Sequence, residues 1–287
     1  MSRTRFYLEG LLKLILAAGC LVGAIAAYRL LLHPALEHGL SLGKDASSVV
    51  RRVGILASMV LSYWGFVRFY ERRTPQELSI RWKWMLLAAG AGAVSIGVTI
   101  LTLFATGHYE VVSTRGIAPA VGVFGMIWIA AVLEEVAFRG ILFRLLEERV
   151  GTYAALAGSA LVFGAVHLSN HGTSWVTMIS ATLAGLMWAG VYLLSRNIWV
   201  SAAHHCFWNA TIFATGLPLS GEDVQAQAPF ETVSHGSVLW TGGGFGPEDS
   251  LVNVLVSGAI CYALWRVARR KGLFRSWPQP GAVQSQP

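Results

Sequence analysis

Apolar runs of membrane-crossing length recur along the whole 287-residue chain, and that recurrence constrains the fold more than any other feature. Eight such runs lie at about 8–31, 53–70, 84–105, 118–143, 152–168, 175–195, 198–216 and 250–267. Roughly 17–25 apolar residues carry an α-helix across the hydrocarbon layer. In that layer the backbone must satisfy its own polar groups, so the prediction is an all-α polytopic membrane protein with about eight transmembrane helices. Charged residues make up only 13% of the chain, whereas a soluble domain carries about 25%. The first run has a basic start and an Ala24–Ala26 stretch like a secretory signal, yet it stays apolar to Leu32, so a retained helix is expected.

Charge sets the expected orientation. A net charge of +7 in a soluble chain would raise nucleic acid as a partner; here it fits basic cytoplasmic loops against anionic lipid, and no nucleic-acid partner is expected. Arg68, Arg72, Arg73, Arg81 and Lys83 crowd one connection, and Arg266, Arg269, Arg270, Lys271 and Arg275 follow the last run. The connection from Leu217 to Ser250 has no Lys or Arg but holds Glu222, Asp223, Glu231, Glu248 and Asp249. Eight spans with both termini cytoplasmic, in a plasma (inner) membrane, put both basic segments and Arg144, Arg149 and Arg196 inside and the acidic connection outside. Arg51 and Arg52 fall on the outer side against this rule.

The expected division is N-terminal helices and a basic loop over 1–83, a membrane core over 84–216, an extracytoplasmic loop over 217–249, and a last helix with a disordered tail over 250–287. Ala181, Gly185 and Ala189 repeat every four residues, a face that lets helices approach closely. Cys20, Cys206 and Cys261 lack paired spacing and are expected as small core hydrophobes.

Against this background three polar intrusions stand out. Glu134 and Glu135 fall well within a run, with Arg139 close behind. A charge at the centre of a membrane helix costs roughly 2.5–3.5 kcal/mol on insertion scales, so such residues normally face a cavity or each other. Glu135 and Arg139 are four apart and share a helix face, which makes them the expected charge-neutralising pair. Glu134 is turned about 100° away and points elsewhere; a carboxylate in a poorly hydrated cavity suits taking a proton from water. All three charges could equally form one structural cluster. His167 closes an apolar helix near the outer boundary. His205 and Asn209 share a face four residues apart, able to bind a developing oxyanion or simply to hydrogen-bond across helices; His204 faces another way. Ser159, Ser169, Ser180 and Ser201 lack an acid–base partner in the pattern of a nucleophilic triad, so direct attack by water is favoured over an acyl-enzyme.

In order along the chain, "EEVAFR" at Glu134–Arg139, "FGAVH" at Phe163–His167 and "HCFWN" at His205–Asn209 resemble the EExxxR, FxxxH and HxxxN motifs of the CPBP or Abi intramembrane proteases, the family of type II CAAX prenyl proteases and bacteriocin-processing enzymes. The resemblance covers about residues 80–216. It implies helices enclosing a hydrated active-site cavity, with Glu134 activating water, His167, His205 and Asn209 binding the scissile carbonyl and its oxyanion, and Glu135 and Arg139 in support. The substrate implied is a membrane-anchored peptide or protein at the lipid bilayer: a CAAX-like tail, a leader peptide or a C-terminal sorting segment. No cofactor is expected; the alternative is zinc on Glu134, His167 and His205.

Two details add to this pattern. His171 follows His167 by four residues and is an extra candidate. The 217–249 connection, rich in Gly and aromatics, is expected to gate the cavity, to bind substrate from outside, or to be a plain flexible loop. The rival from another class is a non-catalytic membrane protein, a proton-coupled transporter or an assembly or immunity scaffold using the same Glu-Arg-His network.

Overall fold

Each apolar run becomes a helix, since only a helix pairs its own backbone polar groups in lipid. The computed structural model describes residues 3–117 and 120–277. Helix α1 (Arg3–Ala27) continues through a π-helical turn at Tyr28–Leu32 into α2 (His33–Gly39). Then come α3 (Lys44–Gly65), α4 (Trp82–Ala105), strand β1 (Tyr109–Thr114), α5 (Ala120–Glu135), α6 (Arg144–His167), α7 (Trp175–Ser195) and α8 (Ile198–Ala214). Strand β2 (Phe230–Ser234), the single-turn α9 (Val238–Thr241) and α10 (Leu251–Arg270) complete the chain.

Six helical stretches among the described residues are long and apolar enough to cross a membrane. The longest, Ala120–His167, contains two of the expected spans. Gly151 breaks it with φ +76°, a conformation that costs a glycine little. Glu134 and His167 are nearly equidistant from that break and line one cavity, so the two arms fold back on each other. Helix α8, at 17 residues, is shorter than these six and is buried along most of its length, with Ser201, Ala202, Cys206, Trp208 and Ile212 inaccessible. Most of the large exposed apolar residues, Leu86, Leu101, Leu161 and Leu255 among them, lie on the helices and suit a lipid surround.

Small residues set the closest crossings. A Cβ at Gly92 on α4 would lie 2.1 Å from the His204 carbonyl oxygen on α8. One at Gly185 on α7 would lie 3.0 Å from Ala160 Cα on α6. The small-residue face read in the sequence is therefore a packing face. Of the cysteines, Cys206 is inaccessible and Cys261 half-buried, but Cys20 is exposed on α1 and does not belong to the core as expected. The reason is that α1 packs with one face only, and Cys20 falls on the other.

The two ends of the bundle differ. At the basic end, Arg144 pairs with Glu71 at 2.9 Å and Glu148 at 3.0 Å, Arg73 pairs with Glu71 at 2.9 Å and Glu77 at 2.7 Å, and Arg196 pairs with Glu147. Burial alone would push the Glu77 carboxyl up, but hydrogen bonds from Arg73 and Tyr63 together hold it below the usual carboxylate range. The start of the tail docks here: Phe274 packs on Tyr153 with ring centroids 4.5 Å apart, and Trp277 Nε1 donates to Tyr7 Oη at 3.0 Å. The disorder expected for the tail therefore does not hold for Phe274–Trp277, whose aromatic rings find partners; residues 278–287 lie outside the described residues.

At the opposite end β1 pairs antiparallel with β2, and Tyr109 Oη donates to Thr241 O at 2.6 Å. This ribbon adds a small β element to a fold expected to be purely helical. The acidic connection is thus built, not slack. Asp249 accepts from Thr177, Ser180 and Ser174 at the start of α7, tying the end of the connection to that helix.

Candidate active site

The site begins with an irregular helix. Directly after Glu135 the chain leaves α-helical pairing for a π-helical stretch, Val136–Phe143. Wider turns of this kind recur at functional sites. Gly140 O in this stretch accepts from Tyr63 Oη at 3.1 Å and Arg144 Nε at 2.8 Å, so side chains take up the carbonyl.

Glu135 and Arg139 are 0% and 2% exposed in their side chains, and Arg139 Nη1 lies 3.1 Å from Glu135 Oε1. Nη1 does not meet hydrogen-bond geometry, so this contact is Coulombic. Arg139 Nη2 donates to Gly185 O at 2.9 Å, and the guanidinium sits 5.0 Å from the Phe163 ring centroid and 5.7 Å from that of Trp188. Glu135 also accepts from Ser201 Oγ at 2.5 Å and from His205 Nδ1 at 3.1 Å. A buried carboxylate needs such saturation, because an unpaired charge there costs several kcal/mol. Sequence spacing anticipates the pairing within the helix; it does not reveal Ser201 or His205 as partners on α8.

One indole completes the support. The Trp188 ring stacks on His205 at 3.6 Å and 19°, while its Nε1 donates to His204 Nδ1 at 3.1 Å. His205 is thereby fixed in plane by a ring on one side and a carboxylate at Nδ1. His204 faces away from the cavity as expected, with its imidazole on a separate groove.

Glu134 stands apart from this network. Its side chain is 29% exposed, it lines a cavity of about 290 Å³, and its Oε2, itself screened, has no hydrogen-bond partner in the protein. His205 Nε2 is 3.9 Å from that oxygen. Asn209, one turn beyond His205, lines the same cavity, and its Oδ1 is likewise unpartnered. His167 lines it too. Its Nδ1–H donates to Phe163 O at 2.8 Å and its ring stacks on Phe163, so Nε2 is its free nitrogen. All four expected residues therefore share one cavity. His171 is exposed and absent from the lining. Among the described residues no group of three or more His, Cys, Asp or Glu side chains is arranged to hold a metal ion. Glu134, His167 and His205 share the cavity without converging as a ligand set, and His205 Nδ1 is already committed to Glu135.

The outer connection supplies the rest of the lining. Leu219, Ser220, Glu222, Val224, Phe245 and Glu248 reach the cavity from it. Glu248 accepts from Trp208 Nε1 at 3.2 Å and from Ser220 N and Oγ at 2.9 and 2.6 Å. Burial pushes its carboxyl above the usual range, and burial does the same to Asp249. These residues escape sequence analysis because nothing in a loop's pattern says which helix end it folds onto.

Comparison with known proteins agrees with the three motifs. Residues 116–211 match the family model described as type II CAAX prenyl endopeptidase Rce1-like. The matched segment holds Glu134, Glu135, Arg139, His167, His205 and Asn209. No curated protein and no solved structure matches the chain.

Proposed function

We propose that this integral membrane protein is an intramembrane endopeptidase in which Glu134 activates water to hydrolyse a peptide bond of a membrane-associated substrate. The family match supports a CAAX-type endopeptidase at family level. The observation that carries the finer reading is the division between the two glutamates. Glu135 is saturated by Arg139, Ser201 and His205, whereas Glu134 presents an unpartnered oxygen to a cavity shared with His167, His205 and Asn209.

In this scheme Glu134 accepts a proton as the water oxygen bonds to the scissile carbonyl carbon, and later returns it to the leaving amine. The developing oxyanion is held by Asn209, whose amide presents Nδ2 after a half-turn, and by His205 through Nε2. Donation from Nε2 requires a second proton on His205, because Nδ1–H is given to Glu135. His167, donating at Nδ1, offers Nε2 as an acceptor for the lytic water or a peptide N–H. No step requires a metal. A scaffold reading explains the Glu135 network equally well but leaves the partnerless Glu134 without a purpose. The distribution of Lys and Arg supports a plasma-membrane location with both termini cytoplasmic as part of this reading.

The test is cleavage of membrane-tethered peptides by purified wild type and Glu134→Gln, each with and without a strong chelator. Glu134→Gln should melt with the wild type and lose on the order of 10²-fold or more of turnover. Loss with chelator and recovery with zinc would replace the metal-free mechanism at the same site. A variant that folds and cleaves normally would refute the role of Glu134.

A further inference from the structure

We infer that the cavity receives its peptide from the membrane face opposite the basic end, and that the segment it takes is exported and uncharged or basic. The inference rests on the peptidase reading and names its substrate class.

The first support is the separation of charge. Sixteen of the 22 Lys and Arg residues fall at or near the end formed by the start of α1 and residues 68–83, 144–149, 196 and 266–275, with five acids. The other end has five bases and eight acids. Short connections rich in Lys and Arg stay in the cytoplasm. Contacts show that the basic segments form one face. Arg144 reaches Glu71, Arg81 Nη1 donates to Ser195 O at 3.1 Å, Arg149 lies 4.5 Å from the Phe6 ring centroid, and Thr152 N donates to Arg275 O at 3.1 Å.

The second support is where the cavity lies. Toward the basic end it is backed by the buried Glu135–Arg139 pair, then by the Gly140 carbonyl with Tyr63 and Arg144. Its non-helical walls, from Asn170 through Leu219 and Glu222 to Phe245, all come from connections of the acidic end. A peptide reaching Glu134 through water therefore passes beneath the 217–249 connection.

The third support is the lining itself. It includes Glu134, Glu222 and Glu248 and no Lys or Arg. Beyond His205, whose ring faces Glu134, the lining offers no cation, so a chain end bearing a free carboxylate close to the scissile bond meets Glu222 and Glu248 without countercharge, whereas an amide continuing outward or a lysine meets favourable potential. The preferred substrate is thus an internal, outward-facing segment of a membrane-anchored peptide, not a short tail ending in a carboxylate.

Accessibility and turnover test this separately. In cells expressing the full chain, a membrane-impermeant maleimide should label Asp223→Cys, beside the cavity mouth, without permeabilisation. It should label Thr74→Cys only after permeabilisation. The reverse pattern overturns the inference whatever the activity. Right-side-out vesicles should then cut a single-span reporter with its cleavable segment outside at least tenfold faster than one with the segment inside; faster cutting of the inner reporter overturns it. An outer reporter ending in a carboxylate three residues past the cut should be slower than its amide by about tenfold, with the gap narrowing in Glu222→Gln; equal rates overturn the charge preference. If the labelling is as expected but no reporter is cut, the peptidase reading and its substrate fall while the orientation stands.

Discussion

Removing Arg139 while leaving Glu135 in place should be far more damaging than removing both. Glu135 is inaccessible and holds three partners, of which Arg139 is its cationic neighbour on the same helix face, at 3.1 Å. Arg139→Met roughly preserves length and apolar contact with Phe163 and Trp188 but leaves a buried carboxylate with only Ser201 and His205. Breaking a buried pair from one side costs about 3–5 kcal/mol. The Gly185 carbonyl keeps its helical N–H, so its lost contact with Arg139 adds little. At about 2–4 °C per kcal/mol for a chain of this class, the melting temperature in detergent should fall by roughly 6–20 °C. In Glu135→Gln with Arg139→Met the uncompensated charge is gone, and the amide oxygen still accepts from Ser201. The double variant should regain about 2 kcal/mol, roughly 4–8 °C, over Arg139→Met alone. Thermal unfolding of the four proteins of this cycle measures the coupling directly. A single variant within about 1 kcal/mol of wild type, or a double variant no more stable than Arg139→Met, would refute the view that the pair is a desolvated unit whose halves need each other.

Other outcomes follow from the ends and the crossings. Glu77 is held below the ordinary carboxylate range, so its stabilisation is complete above about pH 4.5 and is lost as pH falls through the lower folded value; melting temperatures of Glu77→Gln and wild type should diverge at neutral pH and converge in acid. Gly92→Ala drives a methyl to within 2.1 Å of a backbone oxygen of α8 and should cost about 1–3 kcal/mol, read as a drop in melting temperature. Asp249→Ala leaves Thr177, Ser180 and Ser174 without their shared acceptor; limited proteolysis should then cut within 217–249 faster than in wild type, while the helices stay intact.

The helices and the chemistry-bearing residues were legible because charge inside an apolar run is conspicuous and because a helix fixes what lies four residues away. Glu135 with Arg139 needed no knowledge beyond that periodicity, and the division between Glu134 and Glu135 followed from the same angle. What stayed hidden were contacts across helices. Ser201 and His205 meet Glu135 from 66 and 70 residues away, and Trp188 looked like any apolar position on α7 although it stacks on His205 and donates to His204. The π stretch after Glu135 carries no residue pattern that distinguishes i→i+5 from i→i+4 pairing. The ribbon was signalled faintly by the β-branched residues Val111, Val112 and Thr114 on one strand and Thr232 and Val233 on the other, but a six-residue strand between long apolar runs is easily lost among them. Cys20 shows the opposite error: in lipid an apolar neighbourhood in sequence does not imply burial in protein.

In the proposed mechanism two adjacent glutamates are needed because the two jobs make opposite demands on a carboxylate. Holding Arg139 and His205 in register requires an acid with every lone pair engaged and no water nearby, which leaves it no capacity to accept a further proton cleanly. Accepting a proton from water requires an acid with an open oxygen beside a hydrated space. One residue cannot meet both demands, and two residues on the same face would share the same surroundings. Neighbours on a helix differ by about 100°, enough to put Glu135 among Arg139, Ser201 and His205 and Glu134 into the cavity. His205 joins them, with Nδ1 on the saturated acid and Nε2 3.9 Å from the open one. In the proposed mechanism the structural acid orients the imidazole that faces the reacting one, so disturbing Glu135 should alter catalysis through the angle of His205 even when Glu134 is untouched. Ser201→Ala isolates that effect: it removes one of Glu135's donors without entering the cavity, and it should lower kcat more than it raises KM. A change confined to KM would mean that His205 only binds substrate and that its orientation by Glu135 has no part in the chemical step.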